Sequence, residues 1–314
     1  MLITFSFITA GIFLIWISAE KLEKYSVLSA SKLGISPFLI GSTVIALGTS
    51  APEMLTSLFA AMEEKGSMVV GNVIGSNIAN LSLVFGLTLF ILALNKEKII
   101  FDTVTKSNLV ILLFSTLVVT SVIILNPFTI FSVFILILSL CAIIYFWHLE
   151  NKTQIGTSPS YEDESFLLPK LLSSLIVLIF AAWLITEGAL MILEDLQLGE
   201  LFIGYTVLAI GTSLPEIAAT IALAMKGRYA TVAGTLIGSN IFNGLFVLAI
   251  PGLIIEQERL FFFLDWIFLL GVLLAITFLF CFYLFSRSKI EKKANIFISV
   301  IFLSIYFLSL ILAY

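Results

Sequence analysis

Charge is the scarcest thing in this sequence. Of 314 residues, 11% are Asp, Glu, Lys or Arg, while 60% are hydrophobic and the mean hydropathy is +1.17. A soluble domain carries roughly 25% charged residues. The deficit is too large for a buried soluble core and points to a polytopic membrane protein. Cysteine is nearly absent as well. Cys141 and Cys281 both lie in apolar runs without metal-ligand spacing, and read as packing residues. The N-terminus lacks the basic region of a cleavable signal, since the first charge is Glu20. A first transmembrane helix that stays is the expectation. Nothing in the sequence calls for a cofactor, an enzymatic centre, a nucleic acid or an obligatory protein partner.

What is present in quantity is apolar sequence of spanning length. A span needs about 20 apolar residues. Ten runs fit: 2–19, 37–62, 67–93, 108–125, 128–147, 166–190, 201–225, 230–255, 260–285 and 295–313. The longest polar interruption, 148–168, divides them five and five. The predicted domains are therefore 1–147, a linker at 148–168, and 169–314. With the N-terminus outside, 14 of the 16 Lys and Arg fall in inside loops, and only Lys65 and Arg259 lie outside. This bias predicts that both termini are outside and the linker cytoplasmic.

One stretch occurs twice. Gly41 to Glu53 reads GSTVIALGTSAPE and is followed by GNVIGSNIAN from Gly71 to Asn80. Gly204 to Glu216 reads GYTVLAIGTSLPE and is followed by GTLIGSNIFN from Gly234 to Asn243. The offset is 163 throughout, and 19 of 40 positions are identical. An odd number of spans separates the copies, so they enter the membrane from opposite sides. Inverted repeats of this kind mark transporters whose substrate site lies near the midplane. The fold class predicted is all-α, with ten transmembrane helices arranged as two inverted five-helix repeats.

Glu53 and Glu216 are the only carboxylates deep within a predicted span, and no Lys, Arg or His is deep enough to pair with them. A charge at a helix centre costs roughly 2.5–3.5 kcal/mol on insertion scales. Two at equivalent positions call for a cation, a proton or a pathway. Pro52 and Pro215 remove an N–H each, so the carbonyls of Gly48 and Gly211 lose their helical donors. Carbonyls freed around Ala46–Thr49 and Ala209–Thr212 could face a cation. Ser76 and Asn80 share a helix face, as do Ser239 and Asn243. Gly71, Gly75, Gly234 and Gly238 fall on the small-residue spacing that brings membrane helices close. All candidate ligands are oxygens, which suits Ca²⁺, Mg²⁺ or Na⁺. Two ionised glutamates balance one Ca²⁺ or two Na⁺, and a third Na⁺ leaves one excess positive charge.

Gly-Thr-Ser-x-Pro-Glu followed by Gly-Ser-Asn-x-x-Asn, twice, resembles the α-repeats of the sodium/calcium exchangers within the cation/calcium antiporter superfamily. The resemblance implies ten helices with inverted halves, ligands from the second, third, seventh and eighth, and alternating access by sliding of the first and sixth. It implies that Glu53 and Glu216 are shared by Ca²⁺ and Na⁺. The carbonyls of Thr49 and Thr212 are then further Ca²⁺ ligands. The carbonyls of Ala46 and Ala209, with the hydroxyls of Ser50, Ser213, Ser76 and Ser239, are Na⁺ ligands, and Asn80 is central. Some relatives, including K⁺-dependent ones, carry Asp where this chain has Asn243. Two amides leave the site at −2, which argues against K⁺ co-transport. The Gly-Asn-x-x-Glu signature of the cation/proton branch is not found, because Gly71-Asn72 continues with Val-Ile. The linker is too short for a regulatory Ca²⁺-binding domain. The expected activity is Na⁺/Ca²⁺ antiport at a prokaryotic plasma membrane, with about three Na⁺ per Ca²⁺ implied by the charge argument and the family. A Ca²⁺/H⁺ exchanger and a cation channel or non-transporting membrane protein are the alternatives.

Overall fold

The computed structural model describes residues 2–95, 104–151, 166–193, 205, 209–255, 263–286 and 292–313. Among them there is helix and no strand, as backbone groups in lipid require. Helix α1 (Leu2–Leu33) is followed by a segmented helix. That helix comprises α2 (Pro37–Ile40), a π-helical turn at Gly41–Ile45, α3 (Ala46–Thr49) and α4 (Ala51–Met62). Next come α5 (Gly66–Ala79), a π turn at Asn80–Val84, α6 (Phe85–Asn95), α7 (Lys106–Leu125) and α8 (Ile130–Asn151). The second half holds α9 (Leu167–Leu193), α10 (Ala209–Thr212), α11 (Leu214–Met225), α12 (Tyr229–Phe242) with a π turn at Asn243–Val247, α13 (Phe263–Ser286) and α14 (Lys292–Ala313). Every one of the ten apolar runs thus carries helix. Among the described residues seven helical stretches are long and apolar enough to cross a membrane. The other three runs coincide with α1, with α9 and with α10–α11, whose preceding residues are mostly outside the described set.

Two expectations need correction. The first apolar run ends at residue 19, but α1 continues to Leu33, so Lys21, Lys24 and Lys32 lie on helix rather than in a loop. No Gly or Pro interrupts 20–33, and the helix stops where Gly34 takes a left-handed φ of +62°. Ser36 then caps the next helix, its Oγ accepting from the Leu39 N–H at 3.2 Å, with Pro37 in the first turn. The second correction concerns Cys141, which is exposed on the outer surface of α8, whereas Cys281 is buried. Of the linker, 152–165 lies outside the described residues.

Burial divides the helices by role. From Val69 to Ala79 α5 is buried on all sides, and so is α12 from Thr231 to Phe242. A helix buried all round belongs in the centre, and the Ser, Thr and Asn side chains on these two then face other helices rather than lipid. By contrast α8 and α14 expose Phe131, Phe134, Leu138, Phe297, Phe307 and Ile311, a surface suited to lipid tails. Helix α1 packs along α9 at the flank of this core. Phe85 joins α6 to α13 and α14, its ring 4.8 Å from Phe280 and 5.1 Å from Phe302 in edge-on geometry.

The central pair is interlocked between halves. A Cβ on Gly238 would strike the Ser42 carbonyl and approach the Ala46 Cβ to 2.7 Å; one on Gly75 would meet the Tyr205 carbonyl at 2.7 Å and the Ala209 Cβ at 2.8 Å. Those contacts are related by the same 163-residue offset. Gly234 and Gly41 repeat the theme, against Phe38 and Thr231 respectively. Each central helix therefore lies on the segmented helix of the opposite half.

Candidate ion-binding site

The site begins with two breaks. Helix α3 ends at Thr49, Ser50 adopts φ −80° and ψ 1°, and α4 starts at Ala51 with Pro52 in its first turn. Ser213 does the same between α10 and α11, at φ −80° and ψ 2°, with Pro215 following. Pro52 and Pro215 have no N–H to return to Gly48 and Gly211. The break is held from outside by Leu175 of α9, whose methyl groups would lie 2.7–2.8 Å from a Cβ on Gly48. The carbonyls of Ala46 and Ala209 are less free than the sequence suggests. They accept the N–H groups of Ser50 at 3.0 Å and Ser213 at 3.1 Å. They also accept the hydroxyls of Thr49 at 3.3 Å and Thr212 at 3.5 Å.

Each break presents a glutamate. Glu53 and Glu216 occupy the first turns of α4 and α11, where unpaired N–H groups and the helix dipole favour negative charge. Both are 0% exposed. Each carboxylate lies beside its own main-chain N–H and beside hydroxyls of the other half. Glu53 neighbours Thr212 and Ser213, while Glu216 neighbours Thr49, Ser50 and Ser239. The two carboxylates are near enough to repel one another. Thr49 Oγ1 and Ser239 Oγ, 3.4 Å apart, link the halves directly.

None of the four carboxylate oxygens has a hydrogen-bond partner of good geometry. The same is true of the Ser50, Ser76 and Ser213 hydroxyls and of the amide groups of Asn80 and Asn243. All twelve candidate ligand residues are 3% exposed or less. An unsatisfied buried polar atom costs about 1–3 kcal/mol, and more when charged, so this concentration needs a physical reason. Hard cations supply one, since Ca²⁺ takes about six to eight oxygens from carboxylates, carbonyls and amides. Among the described residues no three His, Cys, Asp or Glu side chains cluster. The donor set is instead two carboxylates surrounded by neutral oxygens.

Two features of the site were not read from the sequence. Asn80 and Asn243 each open a π-helical turn, which widens the helix where the stripes of Ser and Asn end. Asn72 is the other feature, its amide bonded to the helix that carries Glu53.

Comparison with known proteins follows the same lines. The profile of the sodium/calcium exchanger protein family matches residues 3–149 and 167–314. The inner membrane protein YrbG of Escherichia coli K12 is 31% identical over 270 residues, 82% of each chain. The sodium/calcium exchanger MaX1 of Methanosarcina acetivorans is 27% identical over 268 residues, 71% of this chain and 75% of that one. A structure of the sodium-calcium exchanger NCX_Mj, soaked with Na⁺ and Sr²⁺, superimposes with a TM-score of 0.81 at 27% identity, covering 99% of this chain and 98% of its own.

Proposed function

This chain belongs to the sodium/calcium exchanger protein family, and from that premise we propose that it exchanges Ca²⁺ for Na⁺ by alternating access. It is a multi-pass membrane transporter of the cation/calcium antiporter class rather than an enzyme. The finer reading takes Na⁺ as the counter-ion, about three per Ca²⁺, with no requirement for K⁺. One observation carries it: carboxylate, hydroxyl and amide oxygens from both halves are buried together without hydrogen-bond partners. Glu53 and Glu216 neutralise the cations. The Thr49 and Thr212 carbonyls complete a Ca²⁺ site, and Ser50, Ser213, Ser76, Ser239 and the Ala46 and Ala209 carbonyls serve Na⁺. Asn80 and Asn243 keep the site charge at −2. Ala46 and Ala209 enter this assignment with donors already bound, so Na⁺ there displaces a hydroxyl hydrogen bond. The soaking of NCX_Mj with Na⁺, Ca²⁺ and Sr²⁺ supports these cations as the ones to test.

The proposed setting is a prokaryotic plasma membrane, with both termini outside, halves at 1–147 and 169–314, and the 148–168 linker cytoplasmic. The distribution of Lys and Arg supports that orientation. The test is ⁴⁵Ca²⁺ uptake into proteoliposomes under separate Na⁺, K⁺ and pH gradients. Uptake should follow an outward Na⁺ gradient and ignore K⁺, and both Glu53→Gln and Glu216→Gln should abolish it. Uptake driven by pH in Na⁺-free buffer would replace Na⁺ with H⁺. Flux without coupling to any counter-ion would mean a channel.

A further inference from the structure

The offset of 163 pairs every residue of one half of the site with one of the other, so departures from the pairing show where the halves differ. Position 72 pairs with 235, and the residues are Asn and Thr. Asn72 stands one turn before Ser76 and two before Asn80, on the same stripe of α5. It is 1% exposed. Its Nδ2 donates to the main-chain carbonyl of Glu53 at 3.3 Å, to Thr56 Oγ1 at 3.1 Å and to Ser57 Oγ at 3.0 Å. A carbonyl only accepts, which fixes the amide's orientation. Thr56 in turn donates to the Pro52 and Glu53 carbonyls at 3.0 and 3.1 Å. The first turn of α4 is thus tied to the helix that carries Ser76 and Asn80.

Among the described residues the second half has no amide tie from α12; α11 has instead a longer hydroxyl contact, Thr88 Oγ1 of α6 to Thr220 Oγ1 at 3.4 Å. Thr235 Oγ1 is buried without a partner. The Glu216 carbonyl receives Thr220 Oγ1 from its own helix at 2.6 Å, and Ala219 stands where the first half has Thr56. We infer that Asn72 is a positioning residue that fixes Glu53 against α5, so that Glu53 is the rigid carboxylate of the site and Glu216 the adjustable one. The inference rests on the cation-site reading above and deepens it. A preorganised carboxylate favours the ion that demands more oxygens at once, and that ion is Ca²⁺. Loss of the tie should weaken Ca²⁺ more than Na⁺.

The experiment measures equilibrium ⁴⁵Ca²⁺ binding to the purified full chain and its competition by Na⁺, Ca²⁺ and Na⁺ KM and Vmax in proteoliposomes, and hydrogen exchange of the first turns of α4 and α11. Asn72→Ala and Asn72→Thr should each weaken Ca²⁺ binding and raise its KM about ten-fold, the loss of one or two buried hydrogen bonds, with Vmax within about two-fold. Exchange should quicken in 51–57 and stay unchanged in 214–220. Thr235→Asn added to Asn72→Thr moves the amide to the other half and should slow exchange in 214–220 and recover part of the affinity. Should Asn72→Ala fold poorly, Thr235→Asn in the otherwise unaltered chain carries the test, with slower exchange in 214–220 and tighter Ca²⁺ binding expected. Unchanged Ca²⁺ affinity with unchanged exchange at 51–57, or equal loss of Ca²⁺ and Na⁺ affinity, would overturn the inference. Failure of the unaltered chain to bind Ca²⁺ would instead overturn the proposed function, while the exchange data would still judge the tie.

Discussion

Glu64 and Gly227 hold the same place in the two halves, and only one of them suits it. Both follow a helix end in left-handed backbone, at φ 59° and φ 75°. Both turns have the same pair of hydrogen bonds: Glu64 N–H to Ala61 O with Lys65 N–H to Ala60 O, and Gly227 N–H to Ala224 O with Arg228 N–H to Leu223 O. This closure favours glycine, because a Cβ in left-handed backbone costs about 1–2 kcal/mol. Glu64→Gly should therefore stabilise the chain by up to about 1 kcal/mol after the added freedom of the unfolded state is counted, seen as a raised Tm in detergent. Glycine at the helix crossing behaves oppositely. Gly238→Ala drives a methyl into the Ser42 carbonyl and should cost about 1–3 kcal/mol, whereas Gly271→Ala, with nothing within 4 Å, should be close to neutral. Comparison of the two Tm values checks both. At this scale the sequence was most readable where chemistry is improbable: Glu53 and Glu216 stand out because a lone carboxylate in an apolar run is expensive. Asn72 did not stand out, because an amide near a helix crossing has many ordinary uses and its three acceptors are brought to it only by folding.

Among the elements, the legible ones are those whose limits are set by local sequence. Gly34, Ser36 and Pro37 end one helix and start the next, and Pro52 and Pro215 break theirs. The π turns at 41–45, 80–84 and 243–247 have no comparable marker, since they arise where one helix accommodates another at close range. The extension of α1 past residue 19 was hidden because hydropathy reports burial in lipid rather than helix length. That extension carries Glu23, mostly buried, to Arg228 in the turn between α11 and α12, with Nε 3.4 Å from Oε1. The symmetry-related positions are Thr186 and Lys65, so no matching pair is possible at the other end. Arg228→Gln leaves a buried carboxylate without its partner. Because the Arg228 side chain is 41% exposed, the cost should be only about 1 kcal/mol and should shrink in high salt. A double-mutant cycle with Glu23→Gln, read from Tm at low and high ionic strength, measures the coupling.

For the whole molecule, the count of spans and their inversion were readable from the spacing of apolar runs and the placement of 16 basic residues. Which helix lies on which was not, because it depends on contacts between residues 130 to 196 positions apart, such as Gly75 with Tyr205 and Gly238 with Ser42. Those contacts decide how the halves depend on each other. Gly75 of the first half needs Tyr205 and Ala209 of the second, and Gly238 of the second needs Ser42 and Ala46 of the first. Residues 1–151 expressed alone should fail to give a monodisperse species in size-exclusion chromatography. Co-expression of 1–151 with 166–314 as separate chains should restore it.

The reciprocal fit at Gly75 and Gly238 also constrains the chain's ancestry. If one half was copied and joined to make the other, the unduplicated half had the same glycine face and the same segment to receive it. It could satisfy both only by meeting a second molecule of itself inserted upside down. Such a precursor would be a dual-topology homodimer, with little bias in the placement of its basic residues. The strong charge asymmetry of the present chain is then the mark of fusion, when each half was fixed in one orientation and the two copies became free to diverge.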